Sequence, residues 1–442
     1  MIYSKIIVVG SGPSGATVAY SLIEEKKKVL MLDQGYNNNT QIRETINNNK
    51  IFHPKLLNKK YQHVVYNFIK KNKIIQKNFF LTGSLALGGL SNIWGGGYWN
   101  YYKGIFDKGF NNFLNNNFKI LNFHNEDSFK INNFFRDGNS NTIYKSAQLL
   151  SLKNKKQIFN SIDIIKKLKK KKIFSYKKNS FVKDIFAKKN FFIVSDDNGN
   201  RYKCKILILA CGTIGSTRLV MKLNKIINVK QKLLHNVSYG FLGITRKKFV
   251  YKKIYKHSPN LIFMHNSSKL KSKISGSIGP YSGELGEFIN KKFIFPLNIL
   301  INLIFNFFKF YLIFGKIFLP AKFCSTKIYL NKNENLIIDG TTINLDKKNK
   351  VINDFFKVNK NKFVKVYQKE LPLGSDSHYT STMSPESKIK KLKTKSFGEL
   401  ISKRNLFIVD ASIIGKEGSH FPTFEIMKNA YKIGKYIAQR YN

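Results

Sequence analysis

The feature that most constrains this chain is a set of spaced glycines directly after its first apolar stretch. Ile6 to Val9 is a short, fully apolar, β-branched run, the pattern of a strand covered on both faces. Gly10, Gly12 and Gly15 follow at once in G-x-G-x-x-G spacing, with Pro13 and Ser14 between the last two. Gly10 lets the strand turn sharply, Gly12 leaves its backbone open to close approach, and Gly15 lets the next helix pack against the strand. The N-terminus of that helix offers free N–H groups and a positive dipole end, the surroundings a pyrophosphate takes. Val29 to Leu32 reads as a second parallel strand, and Asp33 sits at its carboxyl end, 18 residues past Gly15. A carboxylate there accepts hydrogen bonds from ribose 2′- and 3′-hydroxyls. A lone glycine motif is weak, and a glycine-rich turn that binds nothing is the bland alternative. The strand before, the helix after and the acid favour a dinucleotide site. The need for a free 2′-hydroxyl disfavours NADP and leaves FAD and NAD.

At 442 residues and 43% hydrophobic, the chain is long enough for two or three domains with a sizeable core. Cys204, Cys211 and Cys324 are too few and too scattered for a disulfide framework or a zinc knuckle, and read as inert thiols of a reducing compartment. The chain opens almost directly on its first strand. That leaves no room for a signal peptide, so the expectation is a cytoplasmic protein, at the inner face of the membrane if it meets lipid. A net charge of +52 would attract nucleic acid or an anionic membrane surface. Lysine is spread through the whole chain and rises together with Asn, Ile and Phe, as in an AT-rich coding sequence, with no nucleic-acid motif. Nucleic acid is therefore not expected as a partner, while peripheral contact with an anionic membrane stays open.

Residues 36–80 are Asn- and Lys-rich, with a loose helical period from Tyr61 to Gln76, and read as an excursion from the nucleotide fold. The glycine-rich stretch 83–99 interleaves Gly88, Gly89 and Gly95 with Trp94 and Trp99. Glycines let main chain lie against a flat ligand, and Ser91 and Asn92 are placed to reach its polar edge; a turn anchored by the tryptophans is the alternative. Phe181-Val182, Phe191 to Val194 and the stretch around Tyr202 read as antiparallel strands, with a hairpin signal at Asp197-Asn-Gly. Ile206 to Leu209 is another buried strand, ending in Ala210-x-Gly212 and entering a helix at Ser216 or Thr217. Residues 223–371 are strand- and loop-rich and read as a second domain. Within them, 293–319 is the most apolar part of the chain, with Asn298, Asn302 and Asn306 four apart and Lys309 and Lys316 interrupting it. It falls short of the roughly 20 uninterrupted apolar residues of a membrane span and fits a helix lying in the membrane interface; a buried helix or pocket wall is the alternative.

The last seventy residues hold the remaining chemistry: Gly374-Ser-Asp-Ser-His378, a strand from Asn405 ending in Asp410-Ala411-Ser412, and a loop from Gly418 that enters an amphipathic helix at Pro422 and Thr423. Pro422 suits a first helical turn.

Taken together, the chain resembles the glucose-methanol-choline (GMC) family of flavin oxidoreductases. The resemblance rests on Gly10/Gly12/Gly15 with Asp33, Gly88-Gly-x-Ser-x-x-x-Gly95, Leu209-Ala-x-Gly-x-Ile-Gly-Ser-Thr-x-Leu219, His378-x-x-Ser-Thr382, and Asn405-Leu-x-x-x-Asp-Ala-Ser412 followed by Pro422-Thr-x-x-Ile-Met427, in the family's order. It implies an α/β fold: an FAD-binding Rossmann-like domain with a parallel sheet (1–100, 161–222 and 372–442) plus a smaller antiparallel-sheet substrate domain (101–160 and 223–371). It implies FAD as cofactor and oxidation of an alcohol or sugar CH–OH by hydride transfer to flavin N5. His378 matches the family's base, a task a neutral imidazole suits. The second catalytic position, His or Asn in the family, falls on Phe421, with His420 one residue away as a substitute. Ser381 stands where the family has Gly. Asp410 and Ser412 are expected to touch the flavin's ribityl or pyrophosphate part, and a strand-end acid that merely caps the following turn is the alternative. The electron acceptor is open between oxygen, a quinone and a protein carrier. Two other readings stand beside this one. A reductase fed by NAD(P)H is disfavoured because no second G-x-G-x-x-G is present. A catalytically inactive flavin-binding module at the membrane is kept open by Phe421.

Overall fold

The computed structural model describes residues 1–36, 62–92, 97–98, 108–122, 134–135, 141–146, 148–152, 159–249, 261–267, 272–280, 297–415 and 422–441. These form a mixed α/β structure with one wholly parallel sheet beside largely antiparallel ones. The parallel sheet has five strands: β1 (Ile6–Val9), β2 (Val29–Leu32), β3 (Phe174–Lys177), β4 (Ile206–Leu209) and β5 (Leu406–Ile408), in the spatial order β5-β4-β1-β2-β3. Ile6 faces Val29 on one side and Ile206 on the other. Successive strand residues point to opposite faces, and both faces are covered. Ile7, Val9, Leu207 and Leu209 pack into one core, and Ile6, Val8, Ile206 and Ile208 into another. This is why these runs are apolar at every position.

Helix α1 (Pro13–Glu24) follows β1, and α2 (Gly212–Leu223) follows β4. Helix α3 (Thr423–Arg440) packs along α1, where Ser21 Oγ donates to Tyr431 O at 2.8 Å and a Cβ on Gly434 would stand 2.8 Å from Ser21. The end of α3 lies at the start of the sheet: Tyr441 Oη donates to Asn405 Oδ1, and Lys5 Nζ to Tyr441 O at 3.1 Å. A helix of 18 residues runs about 27 Å, so its N-terminus comes to the edge where the strands end. The N-termini of α1, α2 and α3 thus gather at the carboxyl edge of the parallel sheet.

The expected antiparallel strands are Val182–Ala187, Phe192–Asp196 and Arg201–Cys204, the last two joined by the Asp197-Asn-Gly turn. A six-stranded antiparallel sheet runs in the order Phe363–Glu370, Val237–Thr245, Leu312–Leu319, Ser272–Pro280, Leu261–Ser267, Thr142–Ser146.

Three expectations are corrected here. Helix α2 begins at Gly212, not at Ser216 or Thr217, because Gly212 takes a φ of +72° and turns the chain within one residue. The Tyr61–Gln76 period resolves into a helix, Gln62–Lys71, and a strand, Ile74–Lys77, that pairs with Leu336–Thr342. The 293–319 stretch is not one helix. A helix, Leu297–Phe308, is followed by the strand Leu312–Leu319, paired on both sides inside the six-stranded sheet. Gly315 there lies where a Cβ would meet the Phe241 ring at 2.1 Å. Pairing on both edges overrides the apolar run's helical pattern. The side chains of Asn298, Asn302 and Asn306 lie outside the described residues. Among the described residues no helix is long and apolar enough to cross a membrane.

Candidate functional site

At the end of β1 the chain turns at Gly10, whose φ of +101° suits glycine. A Cβ there would stand 2.4 Å from Ala210 O, and one on Gly15 would stand 2.0 Å from Gly10 O. Gly12 differs. Among the described residues nothing lies within 4 Å of the place its Cβ would take, although it is equally central to the turn. It is the N-cap of α1, followed by Pro13 as the first helical residue. The N–H groups of Ser14 and Gly15 in the first turn have no acceptor within the helix.

Asp33 directly follows β2. Ser11 Oγ and Tyr176 Oη (3.0 Å) both donate to its Oδ2. The side chain is half-buried by area but hemmed in by protein, and this desolvation pushes its carboxyl up to about 6 against the pull of Ser11, Tyr176 and nearby backbone N–H groups. Tyr176 comes from β3, the strand next to β2. Ser11 Oγ also accepts the Gly88 N–H at 2.9 Å. One hydroxyl therefore ties the acid to the glycine-rich loop.

That loop lies against the turn. Gly89 has a φ of +56°, and a Cβ on it would stand 3.3 Å from Gly12 Cα. Ser91 and Asn92, expected at a ligand's polar edge, are buried and brace the loop instead. Ser91 Oγ donates to Gly88 O at 2.6 Å and accepts the Ser161 N–H at 3.0 Å. Asn92 Nδ2 donates to Leu87 O and Gly89 O, both at 2.8 Å, and its Oδ1 accepts from Asn160 Nδ2 at 2.7 Å. Gly95, Trp94 and Trp99 lie outside the described residues.

The second junction sits beside the first. Ala210 N–H donates to Val9 O at 2.9 Å, and Gly212 opens α2 with exposed backbone. Asp410, past the end of β5, is buried at this point. Its carboxylate accepts from Ser216 Oγ (2.5 Å), Ser412 Oγ (2.6 Å), Ser412 N–H (3.1 Å) and the Gly212 backbone. Burial raises this carboxyl above the usual range, and these donors oppose the rise. The side chain caps the turn Ala411–Ile413, so capping, the alternative role for a strand-end acid, is what Asp410 does. Cys211, between these residues, carries a thiol pushed up by burial, in line with an inert thiol.

The His378 segment joins this edge through main chain. Ser381 N–H donates to Ala411 O at 3.2 Å, Met383 N–H to Ser412 O at 2.8 Å, and Thr382 Oγ1 lies 2.6 Å from Thr217 Oγ1. Ser381 takes a φ of +73°. That left-handed conformation is the physical reason a glycine suits the position. His378 itself keeps 21% of its side-chain surface exposed. Its Nδ1 lies 3.8 Å from Asp376 Oδ2 and 3.5 Å from Asn236 Nδ2, and its ring is 5.5 Å from the Phe318 ring. Asp376 is buried; its Oδ2 accepts the Asn236 N–H at 2.9 Å, while its Oδ1 has no hydrogen-bond partner among the described residues and sits 3.9 Å from His235 Nδ1. Burial lowers the His235 pKa, so that ring stays neutral.

Lys316 completes the cluster from the strand Leu312–Leu319. Its ammonium donates to Ser375 O at 3.3 Å and lies 5.2 Å from the Phe318 ring centre. Burial pushes it down to about 8, with Asp376 opposing. Sequence reasoning read Lys316 only as a break in an apolar run. The signal was there: a single lysine inside a strand-like stretch must either reach solvent or face a polar site. Ser11, Tyr176, Asn236 and Asp376 were missed as well, since each acts through a partner distant in sequence.

Pro422, the N-cap of α3, and Thr423, its first residue, open that helix at the same edge. His420 and Phe421 lie outside the described residues. No protein-family model matches the chain, and no curated protein matches it.

Proposed function

We propose that this chain binds FAD along the carboxyl edge of its parallel sheet and oxidises the CH–OH group of an alcohol or sugar, as a flavoprotein of the GMC type. The observation that carries the reading is the contrast between the three glycines. Gly10 and Gly15 are closed by neighbouring backbone, whereas among the described residues nothing fills the place of a Cβ on Gly12, the residue that caps the α1 N-terminus. A cradle of this form suits a pyrophosphate. Three further observations support it: the strand order β5-β4-β1-β2-β3, which is that of dinucleotide-binding sheets, the acid at the end of β2, and the loop at Gly89 seated on Gly12.

The residues divide the work as follows. The N–H groups of the α1 first turn and the Gly12 backbone hold the pyrophosphate. Asp33 accepts from the ribose through Oδ1, because both side-chain donors already converge on Oδ2. When bound, FAD supplies a two-electron acceptor that takes hydride from the carbinol carbon. His378 takes the hydroxyl proton. The Asp376 carboxylate beside Nδ1 favours the tautomer with the proton there, which leaves Nε2 as the basic atom. At 3.8 Å the Asp376 carboxylate acts on the ring as a charge rather than a hydrogen-bond acceptor. The Lys316 ammonium, on the strand that also carries Phe318, favours the negative charge that develops on the substrate oxygen.

The test is anaerobic mixing of the FAD-loaded protein with a panel of sugars and primary alcohols, wild type against His378→Ala. Flavin reduction by one substrate class, slowed roughly 100-fold or more in the variant, supports the reading. Reduction at an unchanged rate in His378→Ala overturns the role given to His378.

A further inference from the structure

We propose that the helix Leu297–Phe308 is a membrane-surface anchor that seats the protein on an anionic bilayer. This inference is independent of the flavin reading. Ile299, Leu300, Leu303, Ile304, Phe307 and Phe308 are 48%, 56%, 63%, 49%, 79% and 44% exposed. Their spacing, in pairs four residues apart, puts all six on one face of the helix. Apolar side chains scattered singly over a surface are ordinary, but a contiguous apolar helix face marks an interaction site. The helix contains no charged residue and is too short to cross a membrane.

Charge identifies what covers this face. Immediately past the helix, Lys309 lies 5.0 Å and Lys248 5.4 Å from the Phe310 ring centre. The Phe249 N–H donates to Phe310 O at 2.7 Å, which fixes the exposed run Arg246, Lys247, Lys248 beside the helix end. An apolar face bordered by cations fits an interfacial helix on anionic lipid, with side chains in the acyl boundary and ammonium groups at the headgroups. A second copy of the chain fits poorly. It would present the same cation-bordered face, with no anionic surface to meet it, from a protein already carrying +52.

The test is co-sedimentation of the full chain with large vesicles of phosphatidylcholine alone or with roughly a third phosphatidylserine. The expected result is at least tenfold stronger partition to the anionic vesicles, weakening as salt rises. Leu303→Ser together with Phe307→Ser changes apolar contact but not charge and is expected to lower partition at least tenfold. Both positions are exposed, so an unchanged melting temperature is the accompanying control. Three results would overturn the proposal: no binding to either vesicle, equal binding by the double variant, or a wild-type dimer that the double variant converts to monomer.

Discussion

Ser216 Oγ donates to Asp410 Oδ2 at 2.5 Å, joining two residues 194 positions apart. The contact pins the end of the last parallel strand to the second turn of α2, and through Ala411 and Ser412 it also holds the segment that carries His378. Asp410 is 3% exposed, so losing a donor leaves a buried carboxylate less well satisfied. Ser216→Ala should therefore lower unfolding free energy by about 1–3 kcal/mol in urea titrations. Asp410→Ala should cost more, because four protein donors then lose their acceptor. Equal stability of both variants with wild type would contradict this account of the junction.

The glycine turn separates folding from binding. Gly15→Ala places a methyl 2.0 Å from Gly10 O, a backbone atom that cannot step aside, and should destabilise the protein by at least about 1–3 kcal/mol. Gly12→Ala meets nothing within 4 Å among the described residues and should melt close to wild type, within about 1 kcal/mol. If Gly12 faces a pyrophosphate, its added methyl should weaken FAD binding tenfold or more in a fluorescence titration. A Gly12→Ala protein that binds FAD as wild type does would remove the cradle from the account.

Asp33 gives a pH signature. Between the ordinary carboxylate value of 3.8 and about 6, the folded chain holds a proton that the unfolded chain has released. This group's contribution to stability is therefore present below the lower value and is lost as pH rises toward the upper one. Asp33→Asn removes that slope, so the wild-type advantage over the variant should shrink as pH is raised from 4 to 6.5. FAD binding should run the other way in wild type, strengthening across the same window as the carboxylate ionises to receive ribose hydroxyls. In Asp33→Asn it should be weaker and flat. A wild-type affinity indifferent to pH between 5 and 7 would contradict the ribose role.

What was legible in the chain and what was not follows from the range of the forces involved. The four apolar runs Ile6–Val9, Val29–Leu32, Ile206–Leu209 and Leu406–Ile408 are strands because each is buried on both faces, a demand that shows in every residue. The fifth strand, Phe174–Lys177, was not marked out. Its burial is uneven and its place depends on pairing with β2. The apolar run through residue 319 was misread because Leu312–Leu319 is held by two partner strands distant in sequence. At the site, the glycines and Asp33 were readable because local geometry dictates them. Ser91 and Asn92 were expected at a ligand's polar edge, and their hydrogen bonds go to Asn160 and the loop's own carbonyls, partners no spacing rule reveals.

Lys316 predicts an alkaline limit. Its ammonium titrates at about 8 because of burial, and the proposed chemistry needs it charged. Flavin reduction at saturating alcohol should decline as pH rises through that value. Lys316→Met should be slower by about 10-fold to 100-fold below it, with the decline abolished. A variant that keeps the alkaline decline would assign it to another group.

The most direct measurement is the visible spectrum of the purified full chain after incubation with FAD and removal of free cofactor, recorded before and after anaerobic addition of alcohols and sugars. The account predicts retained oxidised-flavin bands that bleach with one substrate class. Absence of any retained flavin band from a folded protein would contradict its central claim.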